Sequence, residues 1–224
     1  MIDKSFILDN FSIQLPVLYI APVYTRMMRK VIVFTGTPGT GKTSLCNYIV
    51  RRNRGWVHLD LGKFAASVNA IVGYDKTMKT SVVNIRVLKK ALRNYVLNMS
   101  DEDPLLLEGH YAAEASPTNY VNCCIVLRCR PDILWQRLVK IRGYGEMKAR
   151  VNLESELTDY CYLAAKKYLR NVKIIQFDTS NVGIVKLYRR FMKCYENGFQ
   201  CKGDSIDWIS YFSKYPEKFK KLFR

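Results

Sequence analysis

The stretch Gly36-Thr37-Pro38-Gly39-Thr40-Gly41-Lys42-Thr43 fills every fixed position of the phosphate-binding pattern G-x-x-x-x-G-K-[ST]. The apolar run Val31-Ile32-Val33-Phe34 precedes it, and Ser44-Leu45-Cys46-Asn47-Tyr48-Ile49-Val50 follows as a helix. A strand before and a helix after distinguish a working loop from a glycine-rich turn with a chance Lys-Thr. The curl made by Gly36, Gly39, Thr40 and Gly41 turns consecutive N–H groups toward phosphate oxygens, at the positive end of the helix. Lys42 is expected to reach the outer phosphates and the Thr43 hydroxyl to ligate Mg²⁺. The loop implies a bound nucleoside triphosphate with Mg²⁺.

Working outward from the loop, strands are expected over 30–34, 56–60, 105–108, 121–127 and 172–177. Helices are expected from the loop to Arg54, over 82–98, from Pro131 to Gly143, over 145–169 and over 182–195. Residues 64–81 read as irregular, with Gly73-Tyr74-Asp75 as a turn. Strands alternating with helices mean a parallel sheet with right-handed crossovers, and Val121–Leu127 is unbroken enough to be covered on both faces. The fold class is α/β: a three-layer P-loop NTPase sandwich around a five-stranded parallel sheet.

The chain has 224 residues and a formal net charge of +17, with 49% hydrophobic residues. That hydrophobic fraction excludes global disorder, and the length suits one domain with peripheral material. The positive excess points to a polyanionic partner, RNA or a ribonucleoprotein before a membrane. The seven cysteines form no C-x-x-C pair and no zinc spacing. They read as reduced thiols of a cytoplasmic protein. Residues 1–27 stand apart. Their apolar run Phe11 to Tyr24 is interrupted by Gln14, Pro16 and Pro22, is too short to span a bilayer and lacks a cleavage signal. They read as an extension or an over-long start before Met27-Met28.

Glu108 closes an apolar strand and is followed by Gly109-His110. An acid at the carboxyl end of a strand is where a phosphate-loop enzyme holds Mg²⁺ or its waters, or orients a nucleophile. A solvated strand-end acid with a surface histidine is the plainer alternative. Arg142-Gly143-Tyr144-Gly145-Glu146-Met147-Lys148 joins two helices through a Gly-x-Gly hinge flanked by cations. Such a segment is either a lid that neutralises phosphoryl charge and excludes water or an ordinary loop. Arg128, Arg137 and Arg150 are possible reinforcements that sequence alone does not aim. In the tail, Ile206, Trp208, Ile209, Phe212, Phe219, Leu222 and Phe223 alternate with Lys214, Lys218, Lys220, Lys221 and Arg224. Asp204 or Ser205 is a candidate cap for one tail helix, and Pro216 opens another. The aromatics either pack on the domain, stack on unpaired bases or meet a membrane surface.

Taken in order with the loop, three further stretches carry a resemblance. They are Glu108-Gly109-His110, Val126-Leu127-Arg128 leading to Asp132 and Leu134, and Arg142-Gly143-Tyr144 with Lys148, Asn152, Glu154 and Glu156. Together they resemble the adenylate kinase isoenzyme 6, or coilin-interacting nuclear ATPase, family in its archaeal form, across residues 29–178. The resemblance implies a five-stranded parallel sheet with a monophosphate-binding region and a short lid. It also implies adenylate kinase activity (ATP and AMP to two ADP) with ATPase activity, and a link to small ribosomal subunit maturation. Its implied partners are AMP or another nucleoside monophosphate, pre-ribosomal RNA and a small-subunit ribosomal protein, with no membrane. Carried over by residue, Gly39, Gly41, Lys42, Thr43 and Ser44 bind ATP and Arg142 is the lid arginine. Glu108 takes the acidic metal-side position and His110 that of the family's histidine.

The expected division is an extension over 1–27, a kinase-like domain over 28–200 and a basic aromatic tail over 201–224. Within the domain the monophosphate region covers about 60–88 and the lid about 141–151. The chain departs from the family in Val82-Val83-Asn84-Ile85-Arg86-Val87, with Asn84 and Arg86 where acids are expected, and in its basic tail. An ATP-switched assembly factor with little kinase activity is the alternative reading.

Overall fold

β1 (Val31–Thr35) is buried at every residue, as a central strand of a parallel sheet covered on both faces must be. The computed structural model describes residues 30–100 and 103–218. The extension over 1–27, Asp101 and Glu102, and Phe219 to Arg224 of the tail lie outside the described residues.

The chain continues through α1 (Lys42–Arg52), β2 (Val57–Asp60), α2 (Leu61–Ser67), a hairpin of β3 (Ile71–Asp75) and β4 (Thr80–Val83), and α3 (Ile85–Leu97). Next come β5 (Leu105–Glu108), α4 (Ala112–Ala115), β6 (Val121–Arg128) and α5 (Pro131–Gln136). The second half holds α6 (Glu146–Leu157), α7 (Tyr160–Tyr168), β7 (Lys173–Asp178), α8 (Ile184–Glu196) and α9 (Trp208–Lys214). Five parallel strands form one sheet in the order β2-β5-β1-β6-β7. One apolar layer joins Val31, Val33, Leu105 and Leu107 to Leu88, Leu92 and Val96 of α3 and Ala165 of α7. The opposite layer joins Ile32, Phe34 and Ile125 to Leu45 and Ile49 of α1 and Phe191 of α8. The α/β three-layer class stands.

Several local expectations are corrected. Residues 64–81 are not irregular. α2 begins at an Asp60 cap, and Gly73-Tyr74-Asp75 is strand, with the turn displaced to residues 76–79. Asp75 Oδ1 accepts from the Met78 N–H at 2.9 Å, a side-chain bond that closes the turn beyond the glycine. The helix expected over 145–169 is two helices. The backbone breaks at Asp159, which takes φ +57 and carries its carboxylate to Arg128, 31 residues earlier. Cys194 and Cys201 form a disulfide, so the all-thiol reading fails at that pair, while five other cysteines are free and buried. α9 is capped by Asp207, whose side chain accepts from the Ser210 N–H, rather than by Asp204 or Ser205. Asp204 instead pairs with Arg190 at 2.6 Å and accepts from the Asp178 N–H. No helix among the described residues is long and apolar enough to cross a membrane.

Candidate active site

The phosphate loop leaves the carboxyl end of β1, between β5 and β6, and runs into α1. α1 has neither a side-chain cap nor an acidic residue in its first turn. Its leading N–H groups therefore keep their hydrogen-bonding capacity and positive field for an anion. Gly36 adopts φ +139, and a Cβ there would lie 2.2 Å from the Leu127 carbonyl oxygen, so the loop is pressed against β6. Gly41 adopts φ +96 and faces open space. Lys42 is folded back on the loop, donating to the carbonyls of Gly36 at 2.7 Å and Thr37 at 3.2 Å. Burial lowers its ammonium pKa, with Glu108 opposing.

Strand register sets Glu108 level with Phe34 of β1 and Asp60 of β2. The Thr43 hydroxyl donates to Glu108 Oε2 at 3.0 Å. Burial by itself would raise the Glu108 carboxyl, but His58, the Lys42 charge and the Thr43 hydroxyl outweigh it and hold the pKa below the ordinary value. His58 Nε2 lies 3.5 Å from Glu108 Oε2. That is an ion-pair separation, and Nε2 is buried without a hydrogen-bond partner. The other ring nitrogen meets Asn47 Oδ1 at 3.0 Å. The Thr43 hydroxyl and the Glu108 carboxylate are hard oxygen donors suited to Mg²⁺. No cluster of three or more His, Cys, Asp or Glu occurs among the described residues. A Mg²⁺ ion would therefore complete its shell with phosphate oxygens and water.

His110 shares this cavity, and its pKa falls to about 4 through desolvation and then the Lys42 charge, against the pull of Glu108. The neighbouring Tyr111 phenol is raised to about 12 by burial and by Asp60 and Glu108. On the lid, Gly143 takes φ +65 and Arg142 approaches the Tyr144 hydroxyl at 3.4 Å. Lys148 lies 4.5 Å above the Tyr144 ring and donates to the Lys79 carbonyl at 3.0 Å. Lid helix α6 thereby touches the β3–β4 turn and bounds a cavity of about 500 Å³. That cavity holds Lys42, Thr43, Glu108, His110 and Arg142 together. Gly39, Thr40, Gly41 and Ser44 line a second cavity, of about 280 Å³, with Arg137, Thr179 and again Arg142. Gly36 lines neither and sets the loop's path instead.

The suggested reinforcing arginines divide. Arg137 does reach the loop, donating to the Thr179 carbonyl at 2.7 Å and approaching that of Gly39 at 3.5 Å. Arg128 does not; it is buried in a pair with Glu156 at 2.7 Å. Arg150 lies 4.0 Å from Glu146 on its own helix. Residues missed in the sequence are His58, Asp60 and Tyr160, while Asn152 entered only through the resemblance. His58 and Asp60 were readable as polar residues in a strand, but only sheet order sets them beside Glu108.

Residues 32–159 match the family described as AAA domain. The chain is 28% identical over 184 residues to "Putative adenylate kinase" of Methanocaldococcus jannaschii, covering 82% of this chain and 96% of that protein. It is 32% identical over 149 residues to "Putative adenylate kinase" of Natronomonas pharaonis, covering 66% and 80%. It is 29% identical over 131 residues to "Adenylate kinase isoenzyme 6 homolog FAP7" of Saccharomyces cerevisiae, covering 56% and 61%. With the loop, the Arg142 segment and the strand-end acid assembled on one parallel sheet, the chain belongs to the AAA domain family, among its adenylate kinase isoenzyme 6-like nucleotide kinases.

Proposed function

We propose that this chain transfers the γ-phosphoryl group of ATP to a nucleoside monophosphate, AMP first among the acceptors. The observation that supports this reading is that Arg142 lines both cavities, as a cation bridging donor and acceptor phosphates would. In this reading ATP lies over the smaller cavity, lined by Gly39, Thr40, Gly41 and Ser44. It extends its outer phosphates to Lys42 and Thr43 in the larger, which takes the monophosphate beneath the β3–β4 hairpin. An acceptor phosphate oxygen attacks the γ-phosphorus, the bond to the ADP oxygen breaks, and ADP leaves with that electron pair. Lys42 leaves the carbonyls of Gly36 and Thr37 to meet phosphate oxygens, and Arg142 neutralises the charge spread over the transferred group. Mg²⁺ held through Thr43 and Glu108 supplies further charge neutralisation when bound. His110, kept neutral, orients the acceptor or a water. Residues 60–88 then serve as the acceptor region and 141–151 as the lid of a domain spanning 28–200.

A second reading is favoured by the net charge of +17. It is an ATPase whose turnover accompanies small ribosomal subunit maturation, with Glu108 and His110 positioning water. ADP release from ATP, measured with and without AMP, CMP and ribosomal RNA, separates the two. Turnover that depends on a monophosphate and yields its diphosphate supports phosphotransfer. Turnover that ignores monophosphates and responds to RNA replaces that reading with the second.

A further inference from the structure

Helix α3 carries Arg86, Lys89, Lys90 and Arg93, spaced so that all four fall on one face. All are exposed, and the helix contains no acidic residue. None of the four takes part in an ion pair among the described residues. Like charges three and four positions apart repel, so the arrangement opposes helix stability unless an anion relieves it. The opposite face of α3, Leu88, Leu92 and Val96, is spent on the core. The cationic face therefore looks outward, and no ion pair among the described residues uses it. Pro117, Thr118, Asn119 and Tyr120 form the other wall of a groove of about 440 Å³ beside these cations, and no acid lines it.

We propose that this groove binds single-stranded RNA. The four cations extend about 10 Å along the helix axis, a track for a phosphate backbone. Tyr120 offers a ring on which a base can stack, and Thr118 and Asn119 offer polar groups to a ribose 2′-hydroxyl. The tail, with its own aromatics and lysines, is the weaker site. Trp208 is buried, and Tyr211 and Phe212 pack on the lid cluster. The segment Thr118–Tyr120 leads into the amino end of β6, so the groove lies at the amino ends of the strands, opposite the phosphate loop at their carboxyl ends. The inference rests on the second reading above for its class of partner. Its position leaves the phosphotransfer reading standing if it fails.

Fluorescence anisotropy of a labelled oligouridine with the full chain tests it, at about 50 and 200 mM salt. Wild type should bind with a steep salt dependence. Lys89→Glu with Lys90→Glu should weaken binding at least tenfold and flatten the salt slope by about 0.7 for each phosphate left without its cation. Tyr120→Leu should weaken it about tenfold with the slope unchanged, as the removal of stacking alone predicts. ATP turnover of these variants should equal wild type, which also reports that they fold; a Lys89→Gln, Lys90→Gln pair provides a milder variant if the reversal does not. The control reversal Lys166→Glu with Lys167→Glu, on α7, should leave binding nearly intact. Four results overturn the proposal: no binding at low salt, equal loss in the α7 control, equal affinity for oligothymidine, or displacement by polyglutamate as readily as by RNA. The last would assign the groove to an acidic protein.

Discussion

Trp208 donates its indole N–H to Glu156 Oε1 at 3.0 Å, and Oε2 of that same carboxylate accepts from the Thr37 hydroxyl at 2.6 Å. One buried acid thus joins the last helix to the phosphate loop. Oε1 also accepts from Arg128 Nε at 2.7 Å and the Cys129 N–H at 3.0 Å. Replacing Glu156 by Gln removes the charge opposite a buried guanidinium, and breaking such a pair costs about 3–5 kcal/mol. Asp159 and Gln176 still hold Arg128, so the lower end is expected, read as a fall in the urea midpoint. Trp208→Phe removes the N–H together with part of a buried ring. It should cost more than the about 1 kcal/mol of the hydrogen bond alone and weaken ATP binding severalfold in calorimetry, by loosening the carboxylate that holds Thr37. Undiminished ATP affinity would show that the tail and the loop share an acid without being coupled.

Lys42→Ala should lower turnover by about two to three orders of magnitude while leaving the thermal midpoint unchanged or slightly higher. The ammonium lies buried against two carbonyls, and burial already disfavours its charge. Its removal therefore relieves desolvation as much as it forfeits hydrogen bonds. Unfolding of this variant would assign the lysine to loop architecture rather than to phosphate.

His110 should remain neutral from pH 8 down past pH 5, because its pKa is depressed to about 4. The unfolded chain takes up a proton near 6.5 that the native imidazole refuses, so stability falls as pH drops from about 6.5 toward 4. The ring keeps an exposed face, which makes that loss small. Only His58 and His110 occur in the chain. Their imidazole resonances can therefore be assigned with His58→Gln, and a His110 titration midpoint near 6.5 would contradict the site's electrostatics.

Two glycines of the loop should respond differently to alanine. At Gly36 the added Cβ meets the Leu127 carbonyl at 2.2 Å, a backbone atom that cannot step aside without moving β6. At Gly41 the Cβ meets nothing, and only the positive φ is strained, at about 1–2 kcal/mol. Gly36→Ala should lower the thermal midpoint well beyond Gly41→Ala, by differential scanning calorimetry. Equal effects would mean that conformational strain rather than the close approach to β6 governs the loop.

The features legible in the chain are those written at short range. The eight-residue loop, the apolar runs of β1, β5 and β6, and the stripe Val87, Leu88, Ala91, Leu92, Tyr95 and Val96 each declare themselves through local spacing, although of that stripe only Leu88, Leu92 and Val96 are fully buried. The alternation of strands and helices then implies a parallel sheet. Glu108 and Arg142 were legible as candidates because each ends or punctuates such an element. Tertiary structure alone decided what these residues face. Sheet order sets β5 beside β1, and with it the Glu108 carboxylate against Thr43 and His58. The break at Asp159 places that carboxylate on the guanidinium of Arg128, a partner 31 residues earlier that no local pattern records. The cation at 137 was indistinguishable in sequence from those at 128 and 150, yet it approaches the loop while Arg128 is buried with an acid. Local propensity acts over a turn of helix or a few strand residues. The pairing of buried charges acts between elements whose separation in sequence carries no record of their distance in space.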